Sequence, residues 1–217
     1  GRVEIRNVNG KIDVESSSDN TVEVLATKSA KGSTVAGAKE ALGRIEIVEE
    51  ASPSSVRIET KVQRSRALFG SGNGQVNYRV RVPAGAEVVF ATVNGGVELN
   101  GVSGRISAST TNGGVVGRDL SGTIDASTTN GGVDVDLAQL GDGGAHLECT
   151  NGGIRLRLPA DARATISARV TNGGIDTGGL QLDTTESSRR RLDARLNGGG
   201  PQIRISGTNG GIRISSR

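Results

Sequence analysis

The chain has 217 residues and a formal net charge of +3, with 34 glycines, two Phe, one Tyr, one Cys, and neither Met nor Trp. A single cysteine excludes an internal disulfide, and so few aromatics exclude the large-side-chain core of an ordinary sandwich, leaving a narrow interior of Val, Ile, Leu and Ala. No apolar run reaches the roughly 18 residues of a membrane-spanning helix, and with no Met any signal segment or anchor is expected upstream of Gly1.

In chain order, residues 1–14 read as a partial rung, with Val3 and Ile5 before a turn at Asn9-Gly10 and Ile12 and Val14 after it. Alternation at Val22 and Val24 predicts a strand over 21–28. Residues 33–43 predict one short helix, with Ser33 near its N-cap and Gly43 closing it. Strands follow at 44–49, 55–63 and 75–82, and the Gly/Ser-rich stretch Arg64–Gly74 is expected to be a mobile loop. Together, residues 1–82 supply a first rung and strands that cap the coil.

Residues 83–177 carry the regular pattern. Asn-Gly-Gly-(Val/Ile) recurs at Asn94, Asn112, Asn130, Asn151, Asn172 and Asn209, with a variant at Asn197 and a degenerate copy at Asn9. The central spacings are 18, 18, 21 and 21 residues, a period that points to stacked units. Short alternating strands flank each copy, as half-buried β structure requires. Val88, Ile106, Ile124, Ala145, Ile166 and Ile203 share one position, and Val97, Val115, Val133, Ile154, Ile175 and Ile212 another. Stacked rungs about 4.8 Å apart turn each set into an apolar ladder. The corner needs positive φ, which Gly accepts and Asn tolerates. Stacked asparagines can then hydrogen-bond along the coil, so a structural ladder is expected from Asn94 to Asn172, with Asn209 in the terminal rung. Asn-Gly also suits a hairpin, but one corner recurring at rung spacing favours a solenoid.

Residues 178–217 read as an irregular excursion followed by that terminal rung. The basic end, eleven Arg against five Asp/Glu over 151–217, alternates with apolar positions and reads as a solvated strand face. With no aromatics to stack bases, no nucleic-acid partner is expected.

The stretch VPAGAEVVFATVNGGVELNGVSGRISASTTNGGV, within a pattern running from VEIRNVNGKIDVES to ISGTNGGIRISS, resembles the bacterial putative-adhesin family, whose biochemical function is unknown. The resemblance implies an all-β, right-handed solenoid with about two short strands per rung, at or outside the cell envelope and often behind a membrane anchor. It offers no catalytic motif to carry over.

Site chemistry is sparse. His146 is outward and Cys149 inward, so they assemble no metal site, and Cys149 falls in a core column with Thr110, Thr128 and Val170. The stretch Gly131–Asp136 lacks the nine-residue period of calcium-binding repeats. No catalytic residue, metal or cofactor is expected. The outward residues Glu98, Asp134, Asp136, Arg155, Arg157 and Asp176 form the candidate binding face, with Arg155 expected beside both Asp134 and Asp176, and Glu148 beside Arg169. Val133→Asp is expected to be severe and Asp134→Ser nearly silent.

The expected function is non-catalytic, a surface solenoid over residues 1–217 that presents an extended face to a glycan, a cell-wall component, a protein or another copy of itself, with membrane contact only through an upstream anchor. One rival is a polysaccharide-active enzyme using Asp134, Asp136, Arg155 and Arg157. A second is a scaffold assembling end to end through the last rung, Ile212–Ile214.

Overall fold

The computed structural model describes residues 1–63 and 73–217. Among these, the strands in chain order are β1 (Arg2–Arg6), β2 (Ile12–Ser17), β3 (Glu23–Lys31), β4 (Ile45–Ser52), β5 (Ser55–Val62), β6 (Asn73–Pro83), β7 (Glu87–Asn94), β8 (Val97–Asn100) and β9 (Ser103–Asn112). They continue as β10 (Val115–Asn130), β11 (Val133–Asn151), β12 (Ile154–Leu158), β13 (Ala164–Asn172), β14 (Ile175–Asp176), β15 (Leu182–Ser187), β16 (Arg191–Leu196), β17 (Gln202–Asn209) and β18 (Ile212–Ser216). One helix, α1 (Val35–Gly43), lies between β3 and β4. Its N-cap is Thr34, one residue beyond the expected Ser33; the Thr34 side chain accepts from the Gly37 N–H. Most of the expected loop over 64–74 lies outside the described residues, but Asn73 and Gly74 begin β6.

All strands belong to one hydrogen-bonded sheet that turns through two faces. The first face follows β4, β5, β1, β7, β9, the second half of β10, the second half of β11, β17, β13, β16 and β15. The second follows β3, β6, β2, β8, the starts of β10 and β11, β12, β18 and β14. Pairing is parallel between rungs and antiparallel only at the ends, where β4 lies on β5, β3 on β6, and the β15–β16 hairpin on β13. The excursion expected over 178–191 therefore contains a strand.

The rung order differs from the sequence order at both ends. The first rung, β1 and β2, sits between the β5/β6 pair and the β7/β8 pair. The last, β17 and β18, sits between the β11/β12 pair and the β13/β14 pair. The expectation of a terminal Ile212–Ile214 rung is thus corrected: Ile214 is fully buried and β18 has a neighbour on either side. The scaffold reading loses the open edge on which it rested.

Two rungs also lack the expected break into short strands. β10 and β11 run without interruption from the second face to the first, so ladder hydrogen bonds continue around the bend. The β10 bend is made by Asp119 and Gly122, both at positive φ.

Inside, like lies on like. Val3 and Ile5 stack on Val88 and Phe90, which stack on Ile106 and Ala108. Ile12, Val97, Val115, Val133, Ile154 and Ile212 form a second column, each nearly inaccessible to solvent. Gly117 interrupts the neighbouring column, and its space is filled by Leu120, whose Cδ1 would lie 2.4 Å from a Cβ at that position.

Candidate functional site

The corner comes first, because it positions both faces. Asn94, Asn112, Asn130 and Asn151 each donate a side-chain amide hydrogen to the asparagine one rung back, at 2.8, 2.8, 2.9 and 3.0 Å, beginning from Asn9. Asn209 then donates to Asn151 at 2.8 Å, and Asn172 donates to Asn209 at 2.9 Å. The row thus runs out of sequence order, with Asn209 inside it, and every amide points the same way. Asn9 ends the row by donating to the Gly74 carbonyl at 3.2 Å. Aligned amides polarise one another, so the row holds the rungs in register cooperatively. Asn197 stands apart: its amide reaches the Ala160 and Ala162 carbonyls instead, closing the turn after β16.

A second row is internal. The Thr92, Thr110 and Thr128 hydroxyls donate to the carbonyls of Gly10, Gly95 and Gly113, at 3.1, 2.7 and 2.8 Å. Cys149 continues the column with its sulfur 3.3 Å from the Gly131 carbonyl, and burial pushes its thiol pKa up. Sequence reasoning found this column but not its use. The signal was there: the inward hydroxyls recur with the same spacing as the corner glycines.

On the second face the six residues of the candidate binding surface are outward, but their charges are engaged. Asp134 accepts from Arg118 at 3.1 Å and from Arg157 at 2.8 Å, and Arg155 lies 3.9 Å away. Asp136 has Arg157 at 3.6 Å and Arg217 at 2.8 Å; Arg217 also bonds Asp119. Lys11 bridges Glu98 at 2.8 Å and Asp13 at 2.7 Å. Contact with these two carboxylates raises the Lys11 pKa.

Two expected neighbours are corrected by the position of the last rung. Arg213 lies between Arg155 and Asp176, and it is Arg213 that holds Asp176, at 2.7 Å. The Asp176 pKa is lowered by the Gly178 N–H and then by Arg213. Likewise Ser206 separates Glu148 from Arg169. Sequence reasoning overlooked Lys11, Arg118, Arg213 and Arg217. The 18-residue spacing would set Arg118 beside Asp136, but the register shifts after Gly117 and Arg118 bonds Asp134; Arg213 and Arg217 depended on where β18 inserts.

The first face is built differently. Its outward positions are mainly small and hydroxylic, among them Ser107, Ser109, Thr123, Ser127, Thr165, Ser167 and Ser206. His146 is exposed there, 3.9 Å from Glu148. Ser167 donates to Asp193 at 2.6 Å and, ahead of Arg191, lowers its pKa. A concavity of about 1180 Å³ lies elsewhere, at the Asn9 end of the asparagine row. In its wall, Asn77 accepts from the Lys11 N–H and Asn9 is bonded to both Asn94 and Gly74. Among the described residues, no group of three or more His, Cys, Asp or Glu could hold a metal ion, and no helix is long and apolar enough to cross a membrane.

The family described as Toastrack DUF4097 matches residues 1–215. Among solved structures, a protein from Clostridium sporogenes titled a putative cell adhesion protein aligns over 100% of this chain and 92% of its own, at 12% identity and a TM-score of 0.60, which is a likeness of fold. A protein from Bacteroides fragilis titled a putative adhesin aligns over 100% of this chain and 91% of its own, at 10% identity and a TM-score of 0.28. Among curated proteins, no sequence matches the chain.

Proposed function

From the premise that this chain belongs to the Toastrack DUF4097 family, we propose that it is a non-catalytic surface protein of the bacterial envelope, whose residues 1–217 form one right-handed β-solenoid that binds another macromolecule across an extended face. The adhesion named for the structural neighbour from Clostridium sporogenes supports this reading. So does the architecture. Parallel rungs in register make two broad outward faces; antiparallel strands close both ends of the first face and the β3 end of the second, whose other end is β14. Faces, not ends, are what the molecule offers to a partner.

The observation that carries the non-catalytic part is the state of the acidic cluster. A glycosidase needs one carboxyl group free to give a proton and a second free to attack or to activate water. Here Asp134 is held by Arg118 and Arg157, and Asp136 lies against Arg157 and Arg217. Both are committed to guanidinium groups, an arrangement that ties neighbouring rungs together.

The test is retention of bacterial surface material. Purified protein, immobilised, is expected to retain a polysaccharide or protein fraction from isolated cell envelopes. Release of reducing ends from polysaccharide would overturn the proposal in favour of an enzyme, and no retention of any fraction would overturn it outright.

A further inference from the structure

Most outward arginines, on both faces, are paired with acids. On the second face Arg118, Arg155, Arg157, Arg213 and Arg217 each lie 3.9 Å or less from a carboxylate oxygen. On the first face Arg105, Arg195 and Arg204 are exposed, and no ion pair with a described residue engages them. Two of the four acids nearest to them are taken. Glu87 pairs with Arg2 at 3.2 Å, and Asp193 with Ser167 and Arg191. Asp125, beside His146, and Asp183, across from Arg195, remain.

These three arginines are arranged by the ladder. Arg204 on β17 stands between His146 on β11 and Ser167 on β13. Gln202 lies beside Thr165, which lies beside Arg195. Arg204 and Gln202 line two adjoining shallow concavities of about 500 and 450 Å³. Arg105 lines the first and Arg195 the second. Strand steps of about 4.8 Å, with a two-residue offset of about 6.7 Å along the strand, place Arg105 roughly 16 Å and Arg195 roughly 12 Å from Arg204, on opposite sides of it.

We propose that this row binds a linear acidic polysaccharide lying across the strands, with carboxylates on Arg105, Arg204 and Arg195 and hydroxyls on Thr123, Gln202 and Thr165. The proposal deepens the surface-binding reading and rests on it. Charge complementarity carries the assignment. A guanidinium fork matches a carboxylate in two parallel hydrogen bonds, and arginine is weakly hydrated, so its desolvation is tolerable. The hydroxyl and amide side chains between the arginines both donate and accept, as sugar hydroxyls require. The row carries no Phe, Tyr or Trp ring on which bases or neutral sugars would stack, so recognition falls to charge and hydrogen bonds.

The experiment is calorimetric titration of the full chain with polygalacturonate. Wild type is expected to bind, with affinity falling as salt rises. R195Q/R204Q is expected to raise Kd about tenfold or more, whereas R79Q/R81Q on β6 of the second face leaves it unchanged. Fully methyl-esterified polygalacturonate, which keeps the backbone and loses the charge, is expected to bind weakly. Thermal melts check that the exposed arginines are replaced without loss of fold. No binding by wild type, equal binding by R195Q/R204Q, equal binding of the ester, or tighter binding of polyphosphate or single-stranded DNA would each overturn the proposal. Retention of envelope material by wild type and R195Q/R204Q alike overturns this site alone. Retention by neither overturns the proposed function with it.

Discussion

Gly131 and Gly132 are consecutive in the same corner, yet the stack constrains them very differently. Gly131 has φ +154, and a Cβ there would lie 1.8 Å from the Gly113 carbonyl oxygen of the neighbouring rung. At Gly132 the nearest atom to a Cβ is the Gly153 carbonyl oxygen, 3.3 Å away. Gly131→Ala is therefore expected to cost about 3 kcal/mol or more, since backbone must shift against backbone in a conformation L-residues avoid. Gly132→Ala is expected to cost less than about 1 kcal/mol. Urea unfolding of the two variants measures the difference, and equal midpoints would mean that rung contact does not set the first glycine. Both glycines stood out in the sequence as corner residues. Their inequality did not, because it comes from a carbonyl 18 residues away.

At the scale of the element, alternation decides what each strand position tolerates. Val133 stacks between Val115 and Ile154, with 1% of its surface exposed. Val133→Asp buries an unpaired charge and is expected to cost about 4 kcal/mol or more. The next residue, which alternation alone would make silent, has ion pairs to lose. Asp134→Ser leaves Arg118, Arg155 and Arg157 near one another without their shared acid, and is expected to cost about 1 kcal/mol. Denaturant titration of each variant checks both values; a neutral Asp134→Ser would show the ion pairs to be ornamental.

β1 supplies the pH dependence. Burial raises the Glu4 pKa, but hydrogen bonds from Arg6 at 2.8 Å and Arg2 at 3.1 Å, with Arg57 nearby, outweigh it and hold the group below its ordinary value. A folded-state pKa below the unfolded one contributes stability that is present above the ordinary carboxylate range and is lost as pH falls through the folded value. Glu4→Gln is expected to be less stable at neutral pH and to lose less on acidification than wild type. Thermal melts between about pH 7 and pH 2 test this, and parallel curves would remove Glu4 from the acid response.

For the whole molecule, insertion of the first and last rungs one place inside the stack matters most. β17 and β18 bridge β11/β12 to β13/β14, so their removal opens a gap instead of trimming an end. A chain ending at Gly200 is expected to lose the cooperative thermal transition of the full chain, by circular dichroism. Retention of that transition would show that the rungs beyond the gap close up without the insert. In solenoids of simple order each repeat stabilises its neighbours, and a terminal repeat is dispensable. Here the last segment of the sequence is a keystone, and the ends are occupied by the β15–β16 hairpin and β14 and by β3 and β4. Charged residues on these edges, such as Glu23, Lys31, Glu49 and Glu50, discourage strand-to-strand association.

The sequence determined what is local and periodic. Spacings of 18 and 21 residues place Asn94, Asn112, Asn130 and Asn151 at one corner, and alternation assigns Val133 inward and Asp134 outward, because side-chain direction in a strand follows chain position alone. Tertiary structure decided which edge each rung joins. A 37-residue interval separates Asn172 from Asn209, and a connection of that length permits the last rung to pair on either side of β13. That choice inserted Arg213 between Arg155 and Asp176, brought Arg217 to Asp136, and put Asn197, despite its Asn-Gly-Gly phrase, in the turn that carries the chain from β16 past β13 to β17. Hydrogen-bonding edges are alike along every strand, so only the packed stack distinguishes one neighbour from another.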